Sequence, residues 1–208
     1  MDENIQVLDI MIPPEADVKL PNPELVHYYK DYDDRKIYID FDIDDSLFEV
    51  TKQILDYNRK DSGTPAEKRK PITIYVMSYG GDLYQAYALI STILSSTTPI
   101  YTVNMGVAMS AGLLILLAGH KRFAMKYSTA MIHSGSGGAQ GTYEQMEEQQ
   151  KNYKKLIDQM RAYILERTKI DSKLFTKQKS KDWYICDKEQ VELGIVDELV
   201  TNLDSIHD

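Results

Sequence analysis

Hydrophobic positions along this chain follow a strand-like period and a helix-like period in turn. Residues 35–43 alternate apolar and polar side chains, and residues 72–77 form a run of β-branched and aromatic residues. Both patterns are typical of β-strands. A glycine turn and a helical stretch over residues 83–94 follow, and residues 99–105 and 113–118 repeat the strand and the helix. Such repeats predict βαβ units and a largely parallel sheet in an α/β fold.

Two further helices are predicted from their first residues. The run Ser46-Leu47-Phe48-Glu49 has the spacing of a capping box and predicts a helix that ends near residue 57. Thr142 and Gln145 have the same spacing and open a longer helix that ends near residue 168. Its apolar residues recur at intervals of three, four and seven: Met146, Tyr153, Leu156, Ile157, Met160, Tyr163 and Ile164. A stripe of this kind indicates burial in a core or contact with another subunit.

Two stretches lack such periodicity. Residues 1–34 hold Pro13, Pro14, Pro21 and Pro23 among acids and tyrosines, which predicts an irregular N-terminal arm in front of a folded domain at residues 35–208. Residues 59–70 are polar and contain a glycine and a proline, which predicts a loop.

Composition narrows the class of protein. The 208 residues carry a formal charge of −8, are 43% hydrophobic and include one cysteine, Cys186. This length is enough for one substantial core, and a single cysteine forms no intrachain bridge. No stretch is long and apolar enough for a membrane span, and the acidic start is unlike a signal peptide, so we expect a cytoplasmic protein. The acidic balance argues against nucleic-acid binding.

One serine stands where a strand meets an apolar helix. The run Gly106-Val107-Ala108-Met109-Ser110-Ala111-Gly112 places Ser110 between small residues at the predicted helix N-terminus. There the free backbone N–H groups and the helix dipole favour developing negative charge. The pattern fits a displayed nucleophile, but small residues around one serine are more often a close-packing contact between elements.

A histidine stands at a second strand end. Residues 128–132 are strand-like, His133 follows them, and the glycine-rich residues 134–141 come next. A histidine at this place is a candidate general base. The other histidines are His27, His120 and His207. They lie far apart in sequence without partners at ligand spacing, and neither nucleotide-binding glycine fingerprint is present, so we expect no metal and no cofactor.

Several short motifs then occur in one order. They are Gly80-Gly81 after a strand, Gly106-x-Ala108-x-Ser110-Ala-Gly, Met131-Ile132-His133, Gly137-Gly138-x-Gln140-Gly141, and Asp182 before Glu189-x-Val191-Glu192-x-Gly194-Ile195-Val196-Asp197. This ordered set resembles the proteolytic subunit of the caseinolytic (Clp) protease, a family within the crotonase-like superfamily. The resemblance implies a ClpP-like serine peptidase domain over residues 35–208, with repeated ββα units and a long handle helix.

The resemblance also implies roles for single residues. Ser110 matches the nucleophile of a serine endopeptidase of the S14 type, His133 matches its general base, and Asp182 matches the acid that orients the histidine. Asp171 and Asp187 lie close to Asp182 in sequence, and the spacing of Asp182 from the Glu-x-Val-Glu motif favours it.

The remaining implied features concern substrate and assembly. The backbone N–H groups of Gly81 and Ala111 would form the oxyanion hole. A glycine-rich strand with Gly137, Gly138 and Gln140 would line the groove and pair with an extended polypeptide substrate. Members of the family form stacked heptameric rings of identical subunits around a chamber, which an AAA+ unfoldase feeds in an ATP-dependent manner.

Departures from the family pattern leave alternatives open. Tyr79 stands where the family usually has proline, Met109 and Ala111 stand where it usually has alanine and methionine, and Ser134-Gly135 stands where Gln-Pro is common. Residues 1–34 do not resemble the family's pore loops. The alternatives are a catalytically idle ring subunit and a crotonase-type acyl-CoA enzyme, against which the matched serine, histidine and aspartate speak.

Overall fold

The computed structural model describes residues 23–178 and 180–206, and the chain divides between Asp34 and Arg35 into two compact units. The first unit contains helix α1 (Pro23–Asp34), in which the ring of Tyr28 stacks on Tyr32. The predicted irregular arm is therefore wrong for residues 23–34. Proline fits the first turn of a helix, because its missing N–H has no intrahelical acceptor there. Residues 1–22 of the predicted arm lie outside the described residues.

The second unit is built on a sheet of seven strands among the described residues. The strands are β1 (Lys36–Ile39), β2 (Ile72–Ser78), β3 (Ile100–Met109), β4 (Lys121–Met125), β5 (Thr129–Ile132), β6 (Trp183–Cys186) and β7 (Glu198–Val200). The helices are α2 (Leu47–Lys60), α3 (Leu83–Ser95), α4 (Ala111–Ala118), α5 (Tyr143–Arg167), α6 (Ser172–Gln178) and α7 (Lys188–Glu192), and short 3-10 turns occur at Ala66–Lys68 and Leu203–Ile206.

The sheet is parallel along its main path, in the order β1-β2-β3-β4-β7. Strand β3 forks: its first half pairs with β4 and its last three residues pair with β5. Strand β6 then adds antiparallel to β5. The predicted parallel α/β sheet is confirmed, and the fork places the end of β3 beside the end of β5.

Helix α4 forms the centre of the core. All eight of its residues are buried, and all are Ala, Gly, Leu or Ile. A helix that is apolar on every side is one that is packed on every side. The predicted buried helix is confirmed, and it begins directly after Ser110.

The two predicted capping boxes have different outcomes. At α5, the N–H of Gln145 donates to Thr142 Oγ1 and the N–H of Thr142 donates to Gln145 Oε1, so this box is confirmed. At α2, Ser46 makes no capping bond to the helix, and its hydroxyl donates to the carboxylate of Asp44. Because the Ser46 hydroxyl is bonded to the acid two residues upstream and not to the helix, the predicted capping box at α2 is wrong.

Two predicted segments are shorter than the sequence pattern indicated. Strand β1 ends at Ile39, and Ile43 makes only a single bridge to Gly81. The polar loop begins at Asp61, because α2 continues through Lys60. No helix in the described part of the chain is long and apolar enough to cross a membrane.

Candidate active site

Ser110 occupies a sharp turn between β3 and α4. Its backbone has φ 51° and ψ −122°, a region that residues with a side chain seldom adopt. The N–H of Ser110 donates to the carbonyl of Met131 on β5, with 3.0 Å between the nitrogen and the oxygen. The strained turn is therefore held by the neighbouring strand, and strain held in this way is typical of functional sites.

Glycines allow the turn after β2 to lie directly against the Ser110 turn. A Cβ added at Gly80 would be 2.7 Å from Ser110 Cβ, and one added at Gly112 would be 3.0 Å from the carbonyl oxygen of Ser78. Gly80 also has φ +107°, which a side chain would oppose. The turn after β2 and the Ser110 turn thus lie in direct contact, with a glycine on each side of the contact.

The two predicted oxyanion-hole donors lie on these two turns. The bridge between Ile43 and Gly81 uses the carbonyl of Gly80 and the N–H of Asp82, so the Gly81 N–H takes no part in it. Ala111 is the first residue of α4, and the first N–H groups of a helix have no intrahelical acceptor. Both are donors of the kind that binds an oxyanion.

His133 lies beside Ser110 because of the strand register. Met131 pairs with Met109 in the parallel β3–β5 pairing, and two residues later the chain reaches His133. The His133 Nε2 atom lies 2.7 Å from Ser110 Oγ. This is hydrogen-bond distance, and the histidine side chain is 21% exposed.

Asp182 lies beside His133 through the antiparallel β5–β6 pairing. Ile132 pairs with Trp183, so Asp182 stands opposite His133. The Asp182 Oδ1 atom is 3.8 Å from His133 Nδ1, which is beyond hydrogen-bond distance, and the aspartate side chain is 59% exposed. The structure brings all three predicted residues together, with the acid as the loosest member.

The two other aspartates near Asp182 in sequence have different partners. Asp171 Oδ1 accepts the N–H groups of Lys173 and Leu174 at the start of α6. Asp187 Oδ1 accepts the N–H of Tyr127. Both carboxylates accept backbone N–H groups, and neither bond involves His133.

His120 has a backbone partner at the start of β3, outside this cluster. His120 Nδ1 accepts the N–H of Ile100, and burial together with the charge of Arg167 lowers the pKa of His120. His27 lies on α1 in the first unit, and His207 lies outside the described residues.

A buried amide network behind the site was not predicted from the sequence. Asn104 on β3 donates to the side-chain oxygen of Gln190 and to the carbonyl of Thr129, and Gln190 donates to the carbonyl of Ser128. Asn104, Ser128 and Gln190 are fully buried. These bonds join β3 to the start of β5 at the fork. An asparagine inside an apolar strand pattern is the sequence signal that could have revealed this network.

The glycine-rich residues 134–141 are not a strand, and the expected glycine-rich strand is wrong for this structure. Gly135 and Gly141 have φ of +81° and +142°. The main chain of Gln140 bonds to the side-chain amide of Gln149 on α5 instead of to another strand. Gly137, Gly138 and Gln140 lie after His133 in the chain, and their role in a groove stays a prediction.

Comparison with known proteins places this chain in a family. A sequence model of the Clp protease family matches residues 24–203. The chain is 35% identical to ATP-dependent Clp protease proteolytic subunit 2 of Treponema denticola over 64% of this chain and 68% of the relative. It is 30% identical to the ATP-dependent Clp protease proteolytic subunit of Deinococcus radiodurans over 67% of this chain and 68% of the relative. The chain belongs to the Clp protease family.

A solved structure agrees with this assignment. A point mutant of ClpP1 from Listeria monocytogenes matches with a TM-score of 0.74 and 25% identity, over 86% of this chain and 99% of that one. The crotonase-like α/β fold implied by the sequence resemblance is confirmed, and the chain is a protease of the Clp proteolytic-subunit type.

Proposed function

We propose that the chain is a serine endopeptidase subunit that hydrolyses peptide bonds with Ser110 as nucleophile, His133 as general base and Asp182 as orienting acid. The observation that carries the proposal is the 2.7 Å contact between His133 Nε2 and Ser110 Oγ. A nucleophile and its base at hydrogen-bond distance are the minimum that this chemistry requires.

The reaction follows from that contact. Ser110 Oγ attacks the carbonyl carbon of the peptide bond while its proton passes to His133 Nε2, and the carbonyl oxygen becomes an anion that the N–H groups of Gly81 and Ala111 stabilise. His133 returns the proton to the leaving amine as the carbon–nitrogen bond breaks. Water then attacks the acyl carbon while His133 Nε2 takes a proton from it. His133 returns this proton to Ser110 Oγ as the bond from the carbon to Oγ breaks and the carboxylic acid is released.

Asp182 serves as the orienting acid in this scheme. Its carboxylate would accept the Nδ1–H of His133, fix the tautomer and stabilise the imidazolium. The separation of 3.8 Å requires a closing movement of about 1 Å before that hydrogen bond forms. This same observation favours a second candidate function, a ring subunit whose triad stays idle until a partner binds.

Assembly forms the second part of the proposal. We expect identical subunits in stacked heptameric rings and an AAA+ unfoldase that supplies polypeptides in an ATP-dependent manner. The relatives' names as ATP-dependent proteolytic subunits support this. So do Tyr143 and Met146 on the first turns of α5, which are exposed apolar side chains. Exposed apolar side chains on one helix suit subunit contact.

Peptide hydrolysis with matched variants tests the chemistry. Ser110→Ala is expected to lower turnover of a fluorogenic peptide by roughly 10⁴-fold or more, and Ser62→Ala, in the loop after α2, to leave it unchanged. Asp182→Asn is expected to lower kcat, whereas Asp187→Asn leaves it within twofold. Persistent hydrolysis by purified Ser110→Ala protein contradicts the mechanism.

The mass of the assembly tests the second part. Native mass spectrometry of the wild-type protein is expected to give a multiple of seven subunits, and Ser110→Ala is expected to give the same mass. A protein that remains monomeric at assay concentration contradicts the ring proposal.

A further inference from the structure

One row of side chains on α5 follows the glycine-rich segment, residues 134–141. The row repeats every four residues and consists of Gln145, Gln149, Tyr153 and Ile157. Residues four apart on a helix share one face, so these four form one line along α5.

The contacts of the segment run along this row in reverse order. A Cβ added at Gly135 would be 2.7 Å from Tyr153 Oη and 2.9 Å from Ile157 Cδ1, and one added at Gly141 would be 2.5 Å from Gln145 Oε1. The segment therefore descends the helix from the level of Ile157 to the level of Gln145, and it approaches the helix as closely as glycine permits.

The two glycines in the middle of the segment face opposite ways. A Cβ added at Gly137 would be 3.1 Å from the Tyr153 ring, whereas one added at Gly138 would meet nothing within 4 Å. One side of the segment thus rests on α5 and the other side is open.

Gln149 makes two hydrogen bonds to the main chain of the segment. Its Oε1 atom accepts the N–H of Gln140 at 3.2 Å, and its Nε2 atom donates to the carbonyl of Gln140 at 3.1 Å. Tyr153 contributes only packing, because its buried hydroxyl has no hydrogen-bond partner among the described residues. The amide of Gln149 makes the pair of bonds that one residue of a neighbouring antiparallel strand would make.

This pairing has a geometric consequence. The two bonds tie the main chain of Gln140 to α5, and the outer side of Gly138, two residues earlier, is open. Residues 136–140 are exposed, so their main chain can be reached from that side. An extended peptide of any sequence could pair there through its backbone.

We propose that Gln149 is a positioning residue for substrate: its amide ties the main chain of Gln140 to α5 and holds the open side of residues 134–141 ready to pair with the main chain of a bound peptide. This inference rests on the proposed peptidase function. A segment that is already held in position loses less conformational entropy when the peptide binds, so the affinity rises without an added contact.

Peptide binding in a catalytically silent background tests the inference. A fluorescent extended decapeptide is titrated into Ser110→Ala protein that carries either Gln149→Ala or Gln150→Ala, and the Kd is read by anisotropy. Gln150 is an exposed glutamine one position along α5 and is the matched control. We expect Gln149→Ala to raise Kd roughly tenfold, the effect of losing two ordinary hydrogen bonds, and Gln150→Ala to change it less than twofold.

Two further readouts separate positioning from a structural role. In the Ser110-containing protein, Gln149→Ala is expected to raise KM with little change in kcat, and to leave the rate of labelling by a small fluorophosphonate unchanged, because that probe does not need the segment. Gln149→Glu keeps the acceptor for the Gln140 N–H and loses the donor, so we expect an intermediate KM.

The outcomes distinguish the two proposals. Equal Kd values for the Gln149 and Gln150 variants overturn the inference, and so does a loss of labelling in Gln149→Ala that matches its loss of turnover. A wild-type protein that neither cleaves nor is labelled overturns the peptidase function instead, while the Kd comparison still decides the role of Gln149.

Discussion

The two sides of the candidate site are built in opposite ways. The nucleophile side is the end of β3 and the start of α4, where every residue of the helix is buried. The other side is the glycine-rich segment of residues 134–141, which rests on the first half of α5. The buried residues of that helix are Met160 and Ile164, both near its far end.

This difference indicates a division of tasks. Packing on all sides fixes the position of Ser110, because a close-packed core leaves few alternative arrangements. The segment is bonded to Gln149 at Gln140 and is exposed over residues 136–141, and regions with few buried contacts open at low free-energy cost. We infer that the core alone fixes Ser110, whereas the segment depends on Gln149 to hold it in position.

Removing a core side chain is expected to have the largest effect on the packed side. Leu116 on α4 is fully buried, and Leu116→Ala is expected to lower the free energy of unfolding by roughly 2–5 kcal/mol. Leu55 on α2 is 56% exposed, and Leu55→Ala serves as the matched control. Urea denaturation followed by far-UV circular dichroism measures both. Equal losses for the two variants contradict the packing account.

Displacing the Ser110 turn is expected to have the second-largest effect. A methyl group at Gly80 has to displace Ser110 Cβ and the Met109 carbonyl, so Gly80→Ala is expected to lower kcat about 100-fold. Gly63 also has a positive φ, +89°, and has nothing within 4 Å of an added Cβ. Gly63→Ala therefore isolates the backbone strain and is expected to leave kcat unchanged.

A buried ion pair makes the stability of the second unit sensitive to acid. The bonds between Gln149 and the main chain of Gln140, in contrast, involve only neutral amides. Two guanidinium nitrogens of Arg35 donate to Asp61, each at 2.6 Å, and Thr98 donates to the same carboxylate. The hydrogen bonds from Arg35 lower the pKa of Asp61. The stabilisation is thus present above the ordinary carboxyl pKa and is lost as the pH falls through the lowered value in the folded state.

Replacing that carboxylate tests its contribution. Asp61→Asn is expected to reduce the free energy of unfolding by about 1.5–3 kcal/mol at neutral pH and to flatten the loss of stability in acid. Asp158→Asn, on the exposed face of α5, is the control and is expected to do neither. Thermal melts between neutral pH and about pH 3, below the ordinary carboxyl pKa, provide the measurement. An unchanged acid profile in Asp61→Asn contradicts this account.

The smallest expected effect lies in the segment itself. Gly137→Ala places a methyl group against the Tyr153 ring and is expected to raise the KM for peptides several-fold, since the ring or the segment has only a few tenths of an ångström to move. Gly138→Ala meets open space in the free protein, but its methyl group lies on the side proposed for the peptide, so we expect it to raise KM by more. Steady-state kinetics on one peptide compare the two variants. A smaller effect at Gly138 than at Gly137 would contradict the side proposed for the peptide.

Local sequence rules predicted the packed side better than the open side. The continuously apolar, proline-free run after Ser110 predicted the buried helix α4, and the strand periods identified β2, β3 and β5. The two capping boxes show the limit of such rules. Both have the same spacing, but Asp44 competes for the hydroxyl of Ser46, whereas Thr142 keeps its bond to Gln145. Side chains outside the motif decide between these outcomes.

The parts that could not be predicted depend on distant residues. The sequence resemblance named Asp182, but no spacing rule gives its 3.8 Å separation from His133, which depends on the β5–β6 pairing. Nor does sequence show that the amide of Gln149 bonds to the main chain of Gln140 nine residues earlier. The buried Asn104–Gln190 contact joins residues 86 positions apart.

Labelling with a fluorophosphonate, followed by mass spectrometry of the modified peptide, tests the central claim most directly. The reagent reacts with a serine that a neighbouring base activates. We expect a single modification at Ser110 in the wild-type protein and none in folded Ser110→Ala protein of the same assembled mass. Modification of another serine, or an unmodified Ser110 in folded and assembled protein with its unfoldase present, would contradict the assignment of Ser110 as the nucleophile.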